Sequence, residues 1–130
     1  MSFCTAITCI DGRAHLPVIE YLQRRFGVDY VDLVTTPGVV AVVSGAEPDE
    51  AAESVYRRVG VSIEAHQSVG IAVVAHHDCA ANQVSQEIQL SQLWNAVENI
   101  SARFPGVGVV ALWIGDSWKP QEVGPLVRPE

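Results

Sequence analysis

Gly70-Ile71-Ala72-Val73-Val74-Ala75 runs without a charge, and His76-His77-Asp78-Cys79 follows it at once. A strand with one wet face alternates apolar and polar residues. An uninterrupted apolar run suits a strand covered on both faces, and helices cover both faces of parallel sheets. Two similar runs lie upstream. Phe3 to Cys9 (Phe-Cys-Thr-Ala-Ile-Thr-Cys) reads as a short buried strand, and Tyr30 to Thr35 is apolar and β-branched. Val107 to Ile114 makes a fourth strand after the Pro105-Gly106 stop.

Helical spacing fills the gaps between these runs. Leu16, Ile19, Leu22 and Phe26 recur at helical intervals, with Pro17 suited to a first turn and Gly27 to a stop. Pro48 to Ser68 reads as a helix with Asp49 and Glu50 at its positive end, weakened modestly by Gly60. Asn82 to Phe104 reads as a long amphipathic helix carrying Val84, Ile88, Leu93, Val97 and Ile100, with Asn82 as its N-cap. Val39 to Val43, after the Pro37-Gly38 turn, fits either a strand or a helix start. The order predicts an α/β domain with a mainly parallel sheet of four to five strands flanked by helices. It forms one domain over residues 1–130, with residues 115–130 as an irregular tail.

Composition narrows the partners. The chain has 130 residues, 48% of them hydrophobic, and a formal net charge of -7 with only 8 Lys plus Arg. An acidic surface repels phosphate backbones and anionic lipid, which excludes nucleic acid and membrane as partners. No run is long enough to span a bilayer, and Met1 to Ile10 lacks the basic and apolar regions of a signal peptide. The expectation is a cytoplasmic protein, where closely placed Cys and His point to metal or redox chemistry more than to disulfides.

Ligands in open α/β sheets bind beyond the carboxyl ends of the strands. Cys9 closes the first strand and His76 follows the third. If these strands are neighbours, Cys9, His76 and Cys79 meet at one edge. Singly, a strand Cys is a small buried hydrophobe and a His is a polar strand end. Together they supply two thiolates and an imidazole, donors that zinc favours, and three protein ligands leave a fourth position open for water or substrate. Cys4 points to the opposite face and reads as core.

Asp11 and Arg13 stand two and four residues past Cys9 in Cys9-Ile10-Asp11-Gly12-Arg13. Alternation along an extended segment places all three on one side. A carboxylate there can accept a hydrogen bond from metal-held water, and a bidentate guanidinium orients that carboxylate and keeps it ionised. A surface ion pair worth under about 1 kcal/mol is the bland reading. His15 and His77 are candidate proton shuttles because imidazole titrates near neutral pH, although exposed loop histidines are common. Asp78 caps the following segment or supplies a supporting hydrogen bond. Trp113 and Trp118 pack in the core or line a pocket or a subunit interface.

Cys-x-Asp-x-Arg followed by His-x-x-Cys after a buried strand resembles the β-class carbonic anhydrases, in a short, divergent branch. The resemblance covers about residues 3 to 115 in architecture and the two motifs in detail. It implies zinc held by Cys9, His76 and Cys79, and a carboxylate–guanidinium pair of Asp11 and Arg13. It also implies reversible hydration of CO2 to bicarbonate by zinc-bound hydroxide, and a homodimer or larger homo-oligomer. Val39 or Val40 would shelter the uncharged substrate. Where the family commonly carries Ser, Arg-Asn-Ala-Gly and Gly, this chain has Gly12, Thr35-Thr36-Pro37-Gly38 and Ala80, and it lacks the family's N-terminal helical arm. Alternatives are a zinc hydrolase acting on COS or CS2, a non-catalytic zinc-binding or regulatory domain, and a dithiol redox protein using Cys9 and Cys79. If Arg13 swings away, Asp11 can itself ligate zinc and close the site.

Overall fold

A computed structural model of the chain describes residues 1–124. The elements in order are β1 (Phe3–Thr8), α1 (Gly12–Phe26), β2 (Tyr30–Thr35), α2 (Val39–Val43), α3 (Glu50–His66), β3 (Gly70–His76), α4 (Gln86–Arg103), β4 (Gly108–Ile114) and β5 (Pro120–Glu122). They build one sheet in the order β2-β1-β3-β4-β5, parallel except for the antiparallel β5. The expected α/β architecture with a mostly parallel sheet is the observed one.

The apolar run that suggested a doubly covered strand behaves so: every residue of β3 is buried. Its side chains divide between two cores. Ile71, Val73 and Ala75 pack with Val55 and Val59 of α3 and with Leu93, Ala96 and Ile100 of α4. Ala72 and Val74 pack with Ala14, Val18 and Leu22 of α1 on the other face. Each fully buried Val, Leu or Ile contributes about 1.5–3 kcal/mol relative to exposure, so the two cores together fix the strand's register. Cys4 belongs to the α1 side and is fully buried. Burial first, and Asp32 second, push its thiol up to about 11, which keeps it out of chemistry.

Several boundaries differ from expectation. α1 begins at Gly12, because Asp11 caps it by accepting the Arg13 N–H at 3.0 Å. Pro17 therefore sits in the second turn, and Leu16 is left exposed. α3 starts after Asp49, whose side chain accepts the Ala52 N–H at 2.9 Å. α4 starts at Gln86 with Ser85 as its cap, not at Asn82. Residues 77–85 thus form a loop, and the Asn82 amide donates to Gln92 at 2.7 Å. Val39–Val43 is helical, packed in the core with α3 and α4. The expected irregular tail needs correction over Pro120–Glu122, which pairs with Leu112–Ile114 because the turn at residues 115–119 folds the chain back along the sheet edge. Residues 125–130 of that expected tail lie outside the described residues.

Candidate metal centre

β1 and β3 are parallel neighbours, with Ile7 opposite Val73. Their carboxyl ends therefore lie side by side, and the chain leaves each through a loop at the same sheet edge. Cys9 lies just past β1, His76 ends β3, and Cys79 lies three residues on. Their donor atoms all lie within 4.8 Å of one another and all three residues are buried. Cys9 and Cys79, seventy positions apart, hold their sulfurs at 3.9 Å. Zinc–sulfur bonds of about 2.3 Å at a tetrahedral angle put two sulfurs about 3.8 Å apart, so the thiol pair fits zinc as it stands. The widest donor separation closes with a side-chain shift of about an ångström, judged by the same bond lengths.

His76 gives the sharper test of fit. It is 1% exposed, and its Nε2 is buried without a hydrogen-bond partner. Its Nδ1 lies 2.6 Å from the His77 carbonyl, so Nδ1 carries the proton and Nε2 presents a lone pair. A buried lone pair without a partner costs stability, and an ion shared with the two sulfurs would supply that partner. Gln89 of α4 fixes the backbone behind this ring by donating to the His76 carbonyl at 2.9 Å. Burial pushes the Cys79 thiol up, while N–H groups of Ala81 and Asn82 pull the other way, favouring the thiolate.

Asp11 and Arg13 do come together, but not by alternation along an extended segment. Arg13 is in the first turn of a helix that Asp11 caps. The guanidinium Nε donates to Asp11 Oδ1 at 3.0 Å and Nη2 to Oδ2 at 2.6 Å, a bidentate grip. That grip holds the Asp11 carboxyl down to about 2. Arg13 also reaches the loop carrying Cys79, with Nη1 at 3.2 Å from Asp78 Oδ2 and Nη2 at 3.4 Å from the Asp78 carbonyl. Asp78 thus makes the supporting hydrogen bond anticipated for it.

The remaining candidates divide. His15 Nε2 lies 3.0 Å from the Cys9 carbonyl and ties α1 to the start of the first motif. His77 is half-buried with its Nε2 unpartnered, its ring 4.7 Å from that of Trp118. Val39 and Val40 are taken up by the core of α2, α3 and α4. Trp113 is core as well, while Trp118 is partly buried at the rim of the α1-side core and lies against Arg13. The Thr35-Thr36-Pro37-Gly38 segment packs beside the centre. Arg58 of α3 donates to the Thr35 carbonyl and to Thr36 Oγ1, and a Cβ on Gly38 would come within 2.9 Å of the Ala81 carbonyl. A cavity of about 520 Å³ opens at Cys79, lined by Asp78, Ala80, Asn82, Gln83, Val84 and Gln89. Gln89 carries no signal in the sequence, since it acts through a folding partner on a distant element, and Trp118 is legible there only as a core, pocket or interface residue, not as a neighbour of Arg13.

A family described as "Putative carbonic anhydrase" matches residues 1–124. No curated protein matches the chain. Among solved structures, the chain is similar to β-carbonic anhydrase isoform I of the protozoan Trichomonas vaginalis, with TM-score 0.56 and 17% identity over 91% of this chain and 80% of that one. One of two tetrameric β-carbonic anhydrases of the ascomycete Sordaria macrospora gives 0.60 and 11% over 94% and 80%. The β-carbonic anhydrase of the fungal pathogen Aspergillus fumigatus gives 0.57 and 12% over 97% and 76%. At these identities the likeness is one of fold.

Proposed function

The chain belongs to the carbonic anhydrase family whose description matches it from residue 1 to 124, and from that premise we propose that it catalyses the reversible hydration of CO2 to bicarbonate with zinc. Cys9, His76 and Cys79 would hold the ion. When bound, zinc supplies a nucleophile at neutral pH by lowering the pKa of the water it holds to about 7. The chain's own residues do the rest. Asp11, kept ionised by Arg13, would accept a hydrogen bond from the nucleophile's O–H and so orient its lone pair toward the substrate. The His77 carbonyl fixes the tautomer of His76, and the Ala81 and Asn82 N–H groups favour the Cys79 thiolate. The cavity at Cys79 admits a small uncharged substrate.

The observation that carries this reading is the buried His76 Nε2, without a partner, facing two sulfurs already at the spacing zinc requires. The test is stopped-flow CO2 hydration on reduced protein carrying close to one zinc per chain. Hydration well above the buffer rate supports the reading, and none across neutral and alkaline pH overturns it.

A homo-oligomer belongs to the same proposal. The Sordaria macrospora enzymes are tetrameric, and Ile10, Leu16 and Ile88 stand exposed on this chain. Light scattering that gives the mass of a single chain at micromolar concentration would remove this part and leave the chemistry standing.

A further inference from the structure

Three described residues other than glycine adopt left-handed backbone: Gln67 at φ 52°, Asp78 at φ 53° and Trp118 at φ 57°. Such backbone strains any residue with a Cβ, and it is a marked outlier for one as bulky as tryptophan. Two of the three, from loops forty positions apart, converge on one guanidinium. Asp78 meets Arg13 through its carboxylate and its carbonyl. Trp118 lays its ring against the same group, with Arg13 Cζ 4.3 Å from the ring centroid. Asp11 takes the third side.

We infer that Trp118 is a positioning residue that keeps Arg13 closed on Asp11. The turn after β4 delivers it: the Trp118 N–H bonds to the Gly115 carbonyl at 3.1 Å, and β5 then pairs back along β4. The ring also has histidine neighbours, at 4.7 Å from the His77 ring and 5.9 Å from that of His76. A cation over an indole face is held by the ring's quadrupole, and indole is the strongest such face among side chains. An Arg13 side chain left half exposed to water would otherwise exchange Asp11 for solvent. With ring and carboxylates around it, the guanidinium has one orientation, and Asp11 stays engaged with Arg13 and not with the metal donors.

This rests on the proposed role of Asp11 and Arg13, so the experiment reads Arg13 directly. Zinc-loaded wild type, Trp118→Gly and Trp118→Phe are compared by NMR for exchange of the Arg13 Nε–H with water, and CO2 hydration is measured in parallel. Glycine removes the ring and relaxes the backbone, while phenylalanine keeps a π face on the same turn. Exchange about tenfold faster in Trp118→Gly, with Trp118→Phe near wild type, is the expected result. Unchanged exchange in Trp118→Gly overturns the inference, as does equal acceleration in both variants. If Trp118→Gly does not fold, Trp118→Leu takes its place: it keeps apolar bulk without a π face, and faster exchange supports the inference where wild-type exchange overturns it. Faster exchange in a chain whose wild type hydrates no CO2 would leave the clamp standing and remove the proposed reaction.

Discussion

Asp11 performs two tasks with one carboxylate. It caps α1 through the Arg13 N–H, and it pairs with the Arg13 side chain. Removing it altogether confounds the two, because losing a cap costs about 1 kcal/mol by itself. Asparagine caps as well as aspartate but carries no charge. Asp11→Asn should therefore keep the cap and the zinc content, melt somewhat below wild type because the charge that Arg13 grips is gone, and lose CO2 hydration by about a hundredfold or more. Stopped-flow rates beside a metal assay check this, and full activity would strip Asp11 of its role. A second residue-scale prediction concerns Gln89. Its amide is buried against the His76 carbonyl. Gln89→Leu leaves that acceptor unpaired, so stability should fall by about 1–3 kcal/mol in urea titration.

At the scale of elements, what the sequence discloses depends on how local the cause is. β3 and the donors at its end are legible because the apolar run and the donors are contiguous, whereas the β1–β3 pairing stands in the sequence only as a condition and comes from the sheet order. The start of α1 is displaced because capping geometry, not apolar periodicity, decides where a helix begins, and Asp11 also reads as a site residue. Val39–Val43 carries β-branched residues that favour strands, yet α3 and α4 supply an apolar surface that a short helix fills. β5 is three residues long and begins with proline, so only its partner β4 makes it a strand. Gly38 shows the same dependence on context. Its φ of 57° and the 2.9 Å approach of its absent Cβ to the Ala81 carbonyl both demand glycine. Gly38→Ala should lose about 1–3 kcal/mol of stability, measured by denaturation. Because the Ala81 N–H supports the Cys79 sulfur, chelator competition should also show weaker zinc binding. Unchanged stability would mean that the loop after Cys79 yields freely.

At the scale of the whole molecule, ion pairs tie separate elements together, and two of those among the described residues join helix to helix and helix to strand. Arg103 of α4 grips Glu53 of α3, and Arg25 of α1 grips Glu122 of β5. Both carboxyls are held below the ordinary glutamate range, each chiefly by its arginine's hydrogen bonds. A carboxyl whose pKa is depressed on folding adds stability above its unfolded value, about 4.3. That contribution disappears as pH falls through the lower, folded value. Glu122→Gln should thus be less stable than wild type at pH 7 and converge on it in acid below about pH 4. Urea midpoints at several pH values would show the convergence, and a constant difference would contradict it. Both pairs are largely exposed, so salt should shrink the difference at neutral pH.

The parallel pairing of β1 with β3 also sets a schedule during synthesis. A ribosome adds about 5–20 residues per second, so Cys79 emerges on the order of ten seconds after Cys9. Throughout that interval β1 has β2 as its only available strand neighbour, since its place between β2 and β3 cannot be filled before residues 71–73 exist. The nascent chain therefore carries a free thiol at Cys9 and an open, apolar strand edge together, and bringing the three donors together and finishing the centre of the sheet become one late event.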